Sequence, residues 1–353
     1  MTSVPPFQHA MILRTDRIGD LLVSTPAIRN LRSALPHARI TLVVSPLCAD
    51  VLRGWDAIDT VEVFDAAATG AARKEAARRL SLARPDVVLV FTPQSGIYRL
   101  ARHIGARIRV GFGYASRPLD FAVARLALTH PVFSRVPEAA GRAHEVPHHA
   151  DELLALLSAL DIPAPRRPME VPIAEADRAW AQRLVAGRGT GAAPIAVHLS
   201  HKWLDDGWSA DDVAGLVGAI ARIDADRGVV LTVGPADRKA WNAVRGKLPR
   251  SVGARSQLLA LDDLTFGRWA AVVASSVLVI SPDTGAIHLG SATRRPVVGV
   301  YAEHRFHVFS RQWAPWMVPC RTLAKSRGEA GIRVIVDAAA SLLREVAPGS
   351  LRA

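Results

Sequence analysis

Short apolar runs alternate along the chain with longer stretches in which apolar residues recur every three or four positions. Runs such as Ala10–Arg14 and Asp86–Phe91 have the length of strands, whereas Ala71–Ala83 and Gly96–Ile104 have helical spacing. The near-continuous apolar character of the run DVVLVF is typical of a parallel sheet covered on both faces. The pattern therefore predicts an α/β fold built from βαβ units.

The predicted elements form two series separated by an irregular region. In the first series the strands are Ala10–Arg14, Arg39–Val44, Val61–Phe64, Asp86–Phe91 and Ile108–Gly111, and the helices are Ile28–Leu35, Ala71–Ala83, Gly96–Ile104 and Asp151–Leu160. In the second series the strands are Pro194–Leu199, Gly228–Val233, Ser256–Leu261, Val277–Ser281 and Pro296–Tyr301. Its helices are Glu175–Ala186, Ala210–Ile223, Ala236–Leu248, Leu264–Ala274, Thr284–Ser291 and Ile332–Val346. Between residues 112 and 149 the alternation breaks, and no element is predicted there.

A cluster of four prolines separates the two series. It runs from Pro163 to Pro172, and such a density of proline interrupts helices and sheets. We expect an N-terminal domain over residues 1–165 and a C-terminal domain over residues 173–353, whose last helix is able to cross back. Ligands of such folds bind beside the carboxyl ends of the parallel strands, here in a cleft between the domains.

Length and composition agree with two globular domains. The chain has 353 residues, of which 50% are hydrophobic, so a large core can form. The apolar run at residues 269–280 is too short to cross a bilayer, and the N-terminus has no secretory signal pattern, so we expect a cytoplasmic protein. Cys48 and Cys320 have neither disulfide-framework nor zinc-site spacing.

The formal net charge of +12 has two explanations. Most of the 44 basic residues are arginine, which a GC-rich genome alone would produce, or the charge attracts an anionic partner. A phosphorylated glycolipid or an anionic membrane surface fits better than nucleic acid, because no nucleic-acid-binding motif is present.

The first stretch with candidate chemistry is ILRTDRIGDLLVSTPAIRNL, residues 12–31. A strand ends near Arg14, and a helix begins either at Asp20 or at the pair Thr25–Pro26. Asp20 lies where the strand leads into the helix, so its carboxylate is a candidate general base, or it merely caps the helix. The stretch has no G-x-G-x-x-G pattern, so no dinucleotide cofactor is expected.

The second stretch is VLVISPDTGAIHLGSATRRPVVGVY, residues 277–301. We expect Asp283 to cap a helix whose first N–H groups, at Thr284 and Gly285, bind an anion such as a pyrophosphate. His288 lies about one turn into that helix, where it contacts the ligand or is simply buried.

A third stretch, residues 195–217, places a polar loop after a predicted strand. Ser200 can donate a hydrogen bond to a phosphate, and Lys202 can add a positive charge, although a solvated loop lysine is equally consistent with the sequence. A helix is expected near Ser209, with Asp212 completing a capping box.

Taken together, these stretches resemble glycosyltransferase family 9, the heptosyltransferases. The matching motifs are RIGDLLVSTPAIRNLRSALPHARITLVV, HHADELLALLSALDIP and SPDTGAIHLGSATRRPVVGVY, in this order. The resemblance implies a GT-B fold, with two Rossmann-like domains facing across a central cleft. It further implies inverting transfer of a heptose from ADP-heptose to the lipopolysaccharide core, without a metal ion or other cofactor.

The resemblance also assigns residues and reveals departures. Asp20 matches the catalytic base of the family, and its donor-binding positions match Ser200, Asp283, Thr284, Gly285 and His288. The family usually has a lysine two residues before the loop tryptophan, where this chain has Asp206, so Lys202 is the candidate replacement. The turn after residue 301 also lacks the family's usual Gly-Pro-Thr type, with Arg305 and His307 nearby, which leaves the donor sugar and base open.

The acceptor is expected on the side of Asp20. We assign acceptor binding to Arg17, Arg117 and Arg125, with Arg135 and Arg142 in the same basic stretch, and expect peripheral contact with the cytoplasmic face of the inner membrane. Alternatives are a family member that uses another nucleotide sugar, a nucleotide-sugar epimerase of similar fold, and a non-catalytic nucleotide- or glycan-binding relative.

Overall fold

The computed structural model describes residues 7–134, 146–186, 192–224, 226–249 and 258–346. The chain divides into two compact units, residues 1–172 and residues 173–353. Each unit contains one six-stranded sheet. The paired strands are parallel throughout. The predicted α/β class is therefore confirmed.

The sheet of the first unit has the strand order β3-β2-β1-β4-β5-β6. This is the order of a Rossmann sheet, in which the direction of winding reverses between the first and fourth strands. The strands are β1 (His9–Arg14), β2 (Arg39–Val44), β3 (Thr60–Val63), β4 (Val87–Val90), β5 (Ile108–Tyr114) and β6 (His130–Ser134).

The helices of the first unit cover both faces of its sheet. They are α1 (Ile18–Val23), α2 (Thr25–Ala34), α3 (Gly70–Leu82), α4 (Ser95–Ile104), α5 (Pro118–Ala127) and α6 (His149–Ser158). Every residue of β1 is buried, so the central strand is the centre of the core. Its apolar sequence follows from that position between two helical layers.

The region predicted to be irregular is partly regular. Strand β5 continues to Tyr114, helix α5 follows, and β6 pairs with β5 at the edge of the sheet. Helix α5 has no apolar face of the usual width, because Leu119 and Leu126 are exposed to solvent while Ala124 and Ala127 are buried. Arg135 and Arg142 lie outside the described residues.

The proline-rich segment packs against the first unit. Met169 is completely buried. Glu170 accepts hydrogen bonds from the Arg29 guanidinium, at 2.6 to 3.2 Å, and from the Trp55 indole at 3.0 Å. The Thr25 hydroxyl also accepts from the backbone N–H of Glu170 at 3.0 Å. The segment therefore has fixed partners although it forms no helix or strand. The boundaries that we expect for the two domains stay a prediction.

The second unit repeats the same sheet topology. Its strand order is β12-β11-β10-β7-β8-β9, which is again a Rossmann order when its strands are counted from β7. The strands are β7 (Ile195–Leu199), β8 (Val229–Val233), β9 (Leu258–Leu261), β10 (Leu278–Pro282), β11 (Val297–Tyr301) and β12 (Cys320–Ala324).

Two helices of the second unit, α12 (Phe306–Gln312) and α13 (Gly328–Glu345), differ from the sequence prediction. The helices before them are α7 (Glu175–Ala186), α8 (Ala210–Ile220), α9 (Arg238–Val244), α10 (Phe266–Ala274) and α11 (Gly285–Ala292). Helix α12 was not predicted, and α13 begins four residues before its predicted start. Helix α13 packs against α8 and the strands β10 to β12.

None of the helices in the described ranges combines the length and the apolar character that crossing a bilayer requires.

Candidate functional site

Two clusters of polar side chains lie at the switch points of the two sheets. In a parallel sheet all carboxyl ends lie along one edge, and the point where the winding reverses is the usual ligand site. In the first unit that point lies between β1 and β4, and in the second between β7 and β10. All of the predicted catalytic and donor-binding residues follow one of these four strands, except for the helical His288.

The helix that carries Asp20 begins earlier than either predicted start. Helix α1 starts at Ile18, so Asp20 is its third residue, and one of its carboxylate oxygens accepts the Arg17 backbone N–H at 3.3 Å. Helix α2 then starts at Thr25. Pro26 cannot donate to the Leu22 carbonyl four residues earlier, and the Thr25 hydroxyl donates to it instead, at 2.7 Å. Asp20 thus stabilises the helix start and stays partly exposed, at 21% of its side chain.

The buried guanidinium of Arg14 is hydrogen-bonded to the first turn of α1, which contains Asp20. The Arg14 side chain is 1% exposed at the end of β1, and its Nε–H donates to the Asp20 carbonyl at 3.0 Å. Its two terminal nitrogens donate to the Phe91 carbonyl, the Asp16 carboxylate and the His149 imidazole. Arg14 therefore joins the start of α1 to the residue that follows β4 and to the first residue of α6.

Asp16 is a second carboxylate at the same switch point. It accepts a short hydrogen bond from the hydroxyl of Thr92, which follows β4, and a bond from Arg14 at 3.2 Å. Burial raises the pKa of Asp16 above its ordinary value, an effect that the positive charge of Arg14 opposes. The sequence analysis did not select Asp16, although its place in the same polar loop was a usable signal.

The cap of helix α11 differs from the prediction. Thr284, not Asp283, is the N-cap, because the Thr284 hydroxyl accepts the Ala286 N–H at 3.2 Å. The prediction that Asp283 caps this helix is therefore wrong. The strand β10 extends one residue further than predicted, to Pro282, and this shifts the helix start by one position. Residues 283–285 remain partly exposed at the carboxyl edge of the sheet.

Lys202 reaches the same loop from the neighbouring strand. Its ammonium group donates to the Asp283 carbonyl and lies 3.2 Å from the Asp283 carboxylate. Strands β7 and β10 are neighbours, which brings these two residues together across 81 positions of sequence. The lysine that precedes Asp206 by four residues thus lies at the predicted donor loop. Asp206 itself is in the left-handed region, with φ of 59°.

Ser200 has a partner that the sequence did not identify. Its hydroxyl donates to the Asp237 carboxylate at 3.3 Å, and the His201 ring and backbone N–H both bind the same oxygen, at 2.7 and 2.8 Å. Asp237 follows strand β8 and is 9% exposed. An acidic residue just after a predicted strand was the available signal. Contact of Ser200 with a phosphate requires its hydroxyl to turn away from Asp237.

Lys325 is a further residue that the sequence analysis missed. It follows β12, is 3% exposed, and donates to the carbonyls of Lys202 and Asp205. Burial holds the pKa of Lys325 below its ordinary value, although the carboxylates of Asp206 and Asp205 oppose this effect. Because β12 was not predicted, its end could not be recognised as part of the sheet edge. Lys325 fixes the loop from which the Lys202 side chain extends.

The remaining predicted donor residues occupy the first turns of α11. Gly285 is the first residue of the helix, and His288 is 4% exposed with its ring 6.1 Å from that of Trp313. Burial of His288 agrees with the alternative that we left open for it. Its contact with a donor stays a prediction. Arg305, in the turn after β11, and His307, in the first turn of α12, are both exposed.

The three acceptor candidates occupy different places in the first unit. Arg17 is exposed beside Asp20, and Arg117 precedes α5 at the carboxyl end of β5, with its guanidinium 5.3 Å from the Tyr114 ring. Arg125 lies eight residues further along α5, about 12 Å away along the helix axis. The structure thus places Arg17 and Arg117 on the edge that carries Asp20, and Arg125 toward the opposite edge.

Within the described ranges, no three or more His, Cys, Asp or Glu side chains are grouped to hold a metal ion.

Solved structures with the same architecture define the class of the fold. The structure is similar to a family 9 glycosyltransferase from Veillonella parvula, with a TM-score of 0.76 at 20% identity, over 96% of this chain and 97% of that one. It is also similar to ADP-heptose lipopolysaccharide heptosyltransferase II of Escherichia coli, with a TM-score of 0.72 at 16% identity, over 96% and 99% of the two chains. The fold is thus the GT-B type of two Rossmann-like units.

The family follows from sequence. The model of glycosyltransferase family 9 (heptosyltransferase) matches residues 74–328, and the chain belongs to this family. Lipopolysaccharide heptosyltransferase 1 of Escherichia coli K12 is 24% identical over 305 residues, which cover 83% of this chain and 87% of that relative. The chain is therefore an enzyme of glycosyl group transfer, and the resemblance found in its motifs is confirmed.

Proposed function

We propose that this enzyme transfers a heptose from ADP-heptose to a lipopolysaccharide core acceptor, with inversion at the anomeric carbon and without a metal ion. The observation that carries the donor side is the contact of Lys202 with Asp283 at the start of α11. A lysine ammonium beside the free N–H groups of a helix start favours a diphosphate. The heptose and the adenine base rest on the similar proteins, whose names contain them or their lipopolysaccharide substrate.

The proposed reaction is a direct displacement. The Asp20 carboxylate takes the proton of an acceptor hydroxyl while that oxygen forms a bond to the anomeric carbon. The bond from the anomeric carbon to the diphosphate oxygen breaks, and its electron pair leaves with ADP. The Thr284 and Gly285 region and the Lys202 ammonium stabilise the leaving negative charge, which supplies the electrostatic help that other transferases obtain from a metal ion.

The Lys202 ammonium is paired with Asp283. Donor binding must therefore move the ammonium from this carboxylate toward the phosphates, or place a phosphate beside both. The partial exposure of the two side chains, 34% for Lys202 and 20% for Asp283, leaves room for this exchange. The loss of the family lysine at Asp206 is in this way compensated by a lysine of the same loop.

The acceptor is an anionic glycolipid that meets the first unit on the side of Arg17 and Arg117. Helix α5 adds an exposed surface on which Leu119, 81% exposed, and Leu126, 73% exposed, accompany Arg117 and Arg125. Apolar side chains among arginines suit the boundary of an anionic bilayer. We place the enzyme as a peripheral protein at the cytoplasmic face of the inner membrane.

One assay tests the proposed function. The protein is incubated with ADP-heptose and a heptose-deficient core acceptor, with and without excess EDTA, and the products are analysed by mass. We expect the acceptor to gain one heptose at equal rates in both. A changed sugar without transfer would indicate an epimerase, unchanged reactants a binding protein, and activity restored only by Mg²⁺ or Mn²⁺ a metal-dependent transferase. Other nucleotide sugars in parallel reactions test the donor.

A further inference from the structure

A row of buried polar side chains lies behind the Asp20 loop and has no part in the proposed displacement. His149 is the first residue of α6 and is 2% exposed, and Glu152, one turn later, is 7% exposed. The Phe112 ring packs edge-on against the imidazole, with centroids 5.4 Å apart. Burying such groups costs free energy unless they are hydrogen-bonded, so their arrangement needs a physical reason.

The directions of the hydrogen bonds follow from the chemistry of arginine. A guanidinium has only donors, so Nε2 of His149 accepts from Nη2 of Arg14, at 3.0 Å. The imidazole proton is then on Nδ1, which donates to Glu152 at 2.9 Å. The Tyr114 hydroxyl donates to the same carboxylate at 3.1 Å, and the Ser134 hydroxyl donates to its other oxygen.

These contacts favour the ionised form of Glu152. Burial acts to raise the pKa of Glu152, but the hydrogen bond and the electrostatic attraction of His149, with the hydrogen bonds from Ser134 and Tyr114, outweigh it and hold the pKa below its ordinary value. An ionised Glu152 favours the imidazole tautomer with its proton on Nδ1, which leaves Nε2 as an acceptor for Arg14. The hydrogen bonds that start at Glu152 and pass through His149 therefore end at Nη2 of Arg14.

That same nitrogen lies near the proposed base. Nη2 of Arg14 is 3.7 Å from the Asp20 carboxylate, beyond hydrogen-bond distance, while it is 3.0 Å from His149. A carboxylate in a close charge-assisted bond with a guanidinium is a weaker base, because the pair stabilises its ionised form. The distance between these groups therefore matters for proton transfer to Asp20.

We propose that His149, held by Glu152, is a positioning residue that binds Nη2 of Arg14 and thereby keeps the ion pair of Arg14 with Asp20 at 3.7 Å, too long for a charge-assisted hydrogen bond. This inference rests on the proposed role of Asp20 as general base. His149 does not contact the substrate. It sets the distance between the Arg14 guanidinium and the carboxylate that does.

The test compares two substitutions of His149. His149→Leu removes the acceptor, and we expect kcat to fall at least about tenfold, but by less than the 10² to 10⁴-fold that loss of a general base costs. The KM for the donor should stay unchanged, and the acid limb of the kcat–pH profile should move to lower pH. His149→Gln returns an acceptor oxygen near the Nε2 position and should restore kcat to within about threefold of wild type.

A matched control is available at the other end of β1. His9 is also buried and hydrogen-bonded on both ring nitrogens, to Ala83 and Thr41. His9→Leu is expected to destabilise the fold to a similar extent while kcat and the pH profile stay as in wild type. Arg14, Asp16, Arg17 and Cys48, four charged or ionisable residues that lie close to Asp20 in the described part of the chain, are unchanged in all three variants.

A direct structural measurement accompanies the kinetics. In a crystal structure of His149→Leu, Nη2 of Arg14 should lie within hydrogen-bond distance of the Asp20 carboxylate. An unmoved guanidinium, an unmoved acid limb, or a kcat equal to that of His9→Leu would overturn the positioning role. If Asp20→Asn instead retained full activity, the assignment of the base itself would be wrong, which is a separate outcome.

Discussion

Asp20 combines a structural contact with a partly exposed carboxylate. Asp20→Asn keeps the shape of the side chain and an oxygen for the Arg17 N–H, but it removes the proton acceptor. We expect kcat to fall by about 10² to 10⁴-fold while ADP affinity is unchanged. Single-turnover transfer and calorimetric titration with ADP measure the two quantities. A variant with more than half of the wild-type turnover would show that Asp20 is not the base.

Lys202 is expected to act on the donor alone. In Lys202→Met the positive charge is absent from the start of α11, so ADP should bind more weakly, and the difference from wild type should shrink as salt is raised. Lys239→Met is the control, since Lys239 is an exposed lysine of the same unit on α9. Titration of both variants with ADP at two ionic strengths provides the measurement. Equal affinity of the two variants would contradict the assignment of Lys202.

At the scale of elements, helix α11 can lie close to the sheet because Gly290 has no side chain. A Cβ atom at Gly290 would lie 2.7 Å from a Val297 methyl group and 3.4 Å from Val279, so the helix contacts β10 and β11 without room for alanine. Since this helix also carries Thr284 and Gly285 at its start, its distance from the sheet fixes the candidate donor site.

A pair of glycine substitutions tests this contact. Gly290→Ala should destabilise the protein by about 1–3 kcal/mol through overpacking. Gly215→Ala, on α8, meets only an ordinary contact of 3.7 Å with Ile332, so the gain in helix propensity should stabilise by up to about 1 kcal/mol. Chemical unfolding of both variants gives the free energies. Effects of the same sign would show that α11 can move away from β10 and β11.

Which elements could be predicted depends on how clear their local sequence patterns are. Strand β2 has the predicted bounds because RITLVV is a nearly continuous apolar run. Helix α7 also has the predicted bounds, although most of its residues are partly or fully exposed. The edge strands β6 and β12 were missed, since their sequences HPVFS and CRTLA form no apolar run. The other two edge strands, β3 and β9, are also only partly buried or exposed, but they were found because β3 alternates valine with polar residues and β9 is the apolar run LLAL.

In the candidate site, too, only the features that depend on local sequence could be predicted. The place of Asp20 follows from a local strand-to-helix connection, which the sequence contains. The contact of Lys202 with Asp283 depends on β7 lying beside β10, and that of Arg14 with His149 joins residues 135 positions apart. Strand order and long-range pairing are properties of the folded sheet, so no local pattern could supply them.

At the scale of the whole molecule, the excess of positive charge should act on acceptor binding. With a net charge of +12, long-range attraction draws an anionic glycolipid, and residues near Asp20 then hold it. Arg117→Gln should raise the acceptor KM and weaken binding to anionic vesicles, most strongly at low salt, with the donor KM unaffected. Arg125→Gln should have the smaller effect on acceptor KM, because Arg125 lies further along α5. An unchanged acceptor KM for Arg117→Gln at low salt would exclude this placement.

Residues 165–170 are hydrogen-bonded to the first unit and packed against it, and this determines where the chain can be divided into fragments for separate expression. A cut after Ile162, at the first proline of the cluster, would expose the space that Met169 fills and remove the carboxylate bound by Arg29 and Trp55. Emptying the Met169 site alone is expected to lower the free energy of unfolding by about 2–5 kcal/mol.

A fragment of residues 1–172 should therefore unfold cooperatively on heating, while one of residues 1–162 should melt at clearly lower temperature or aggregate. Equal melting of both fragments would mean that the proline segment adds nothing to the first unit. If it melts as expected, the longer fragment becomes a tool for measuring acceptor binding with the donor half of the enzyme absent.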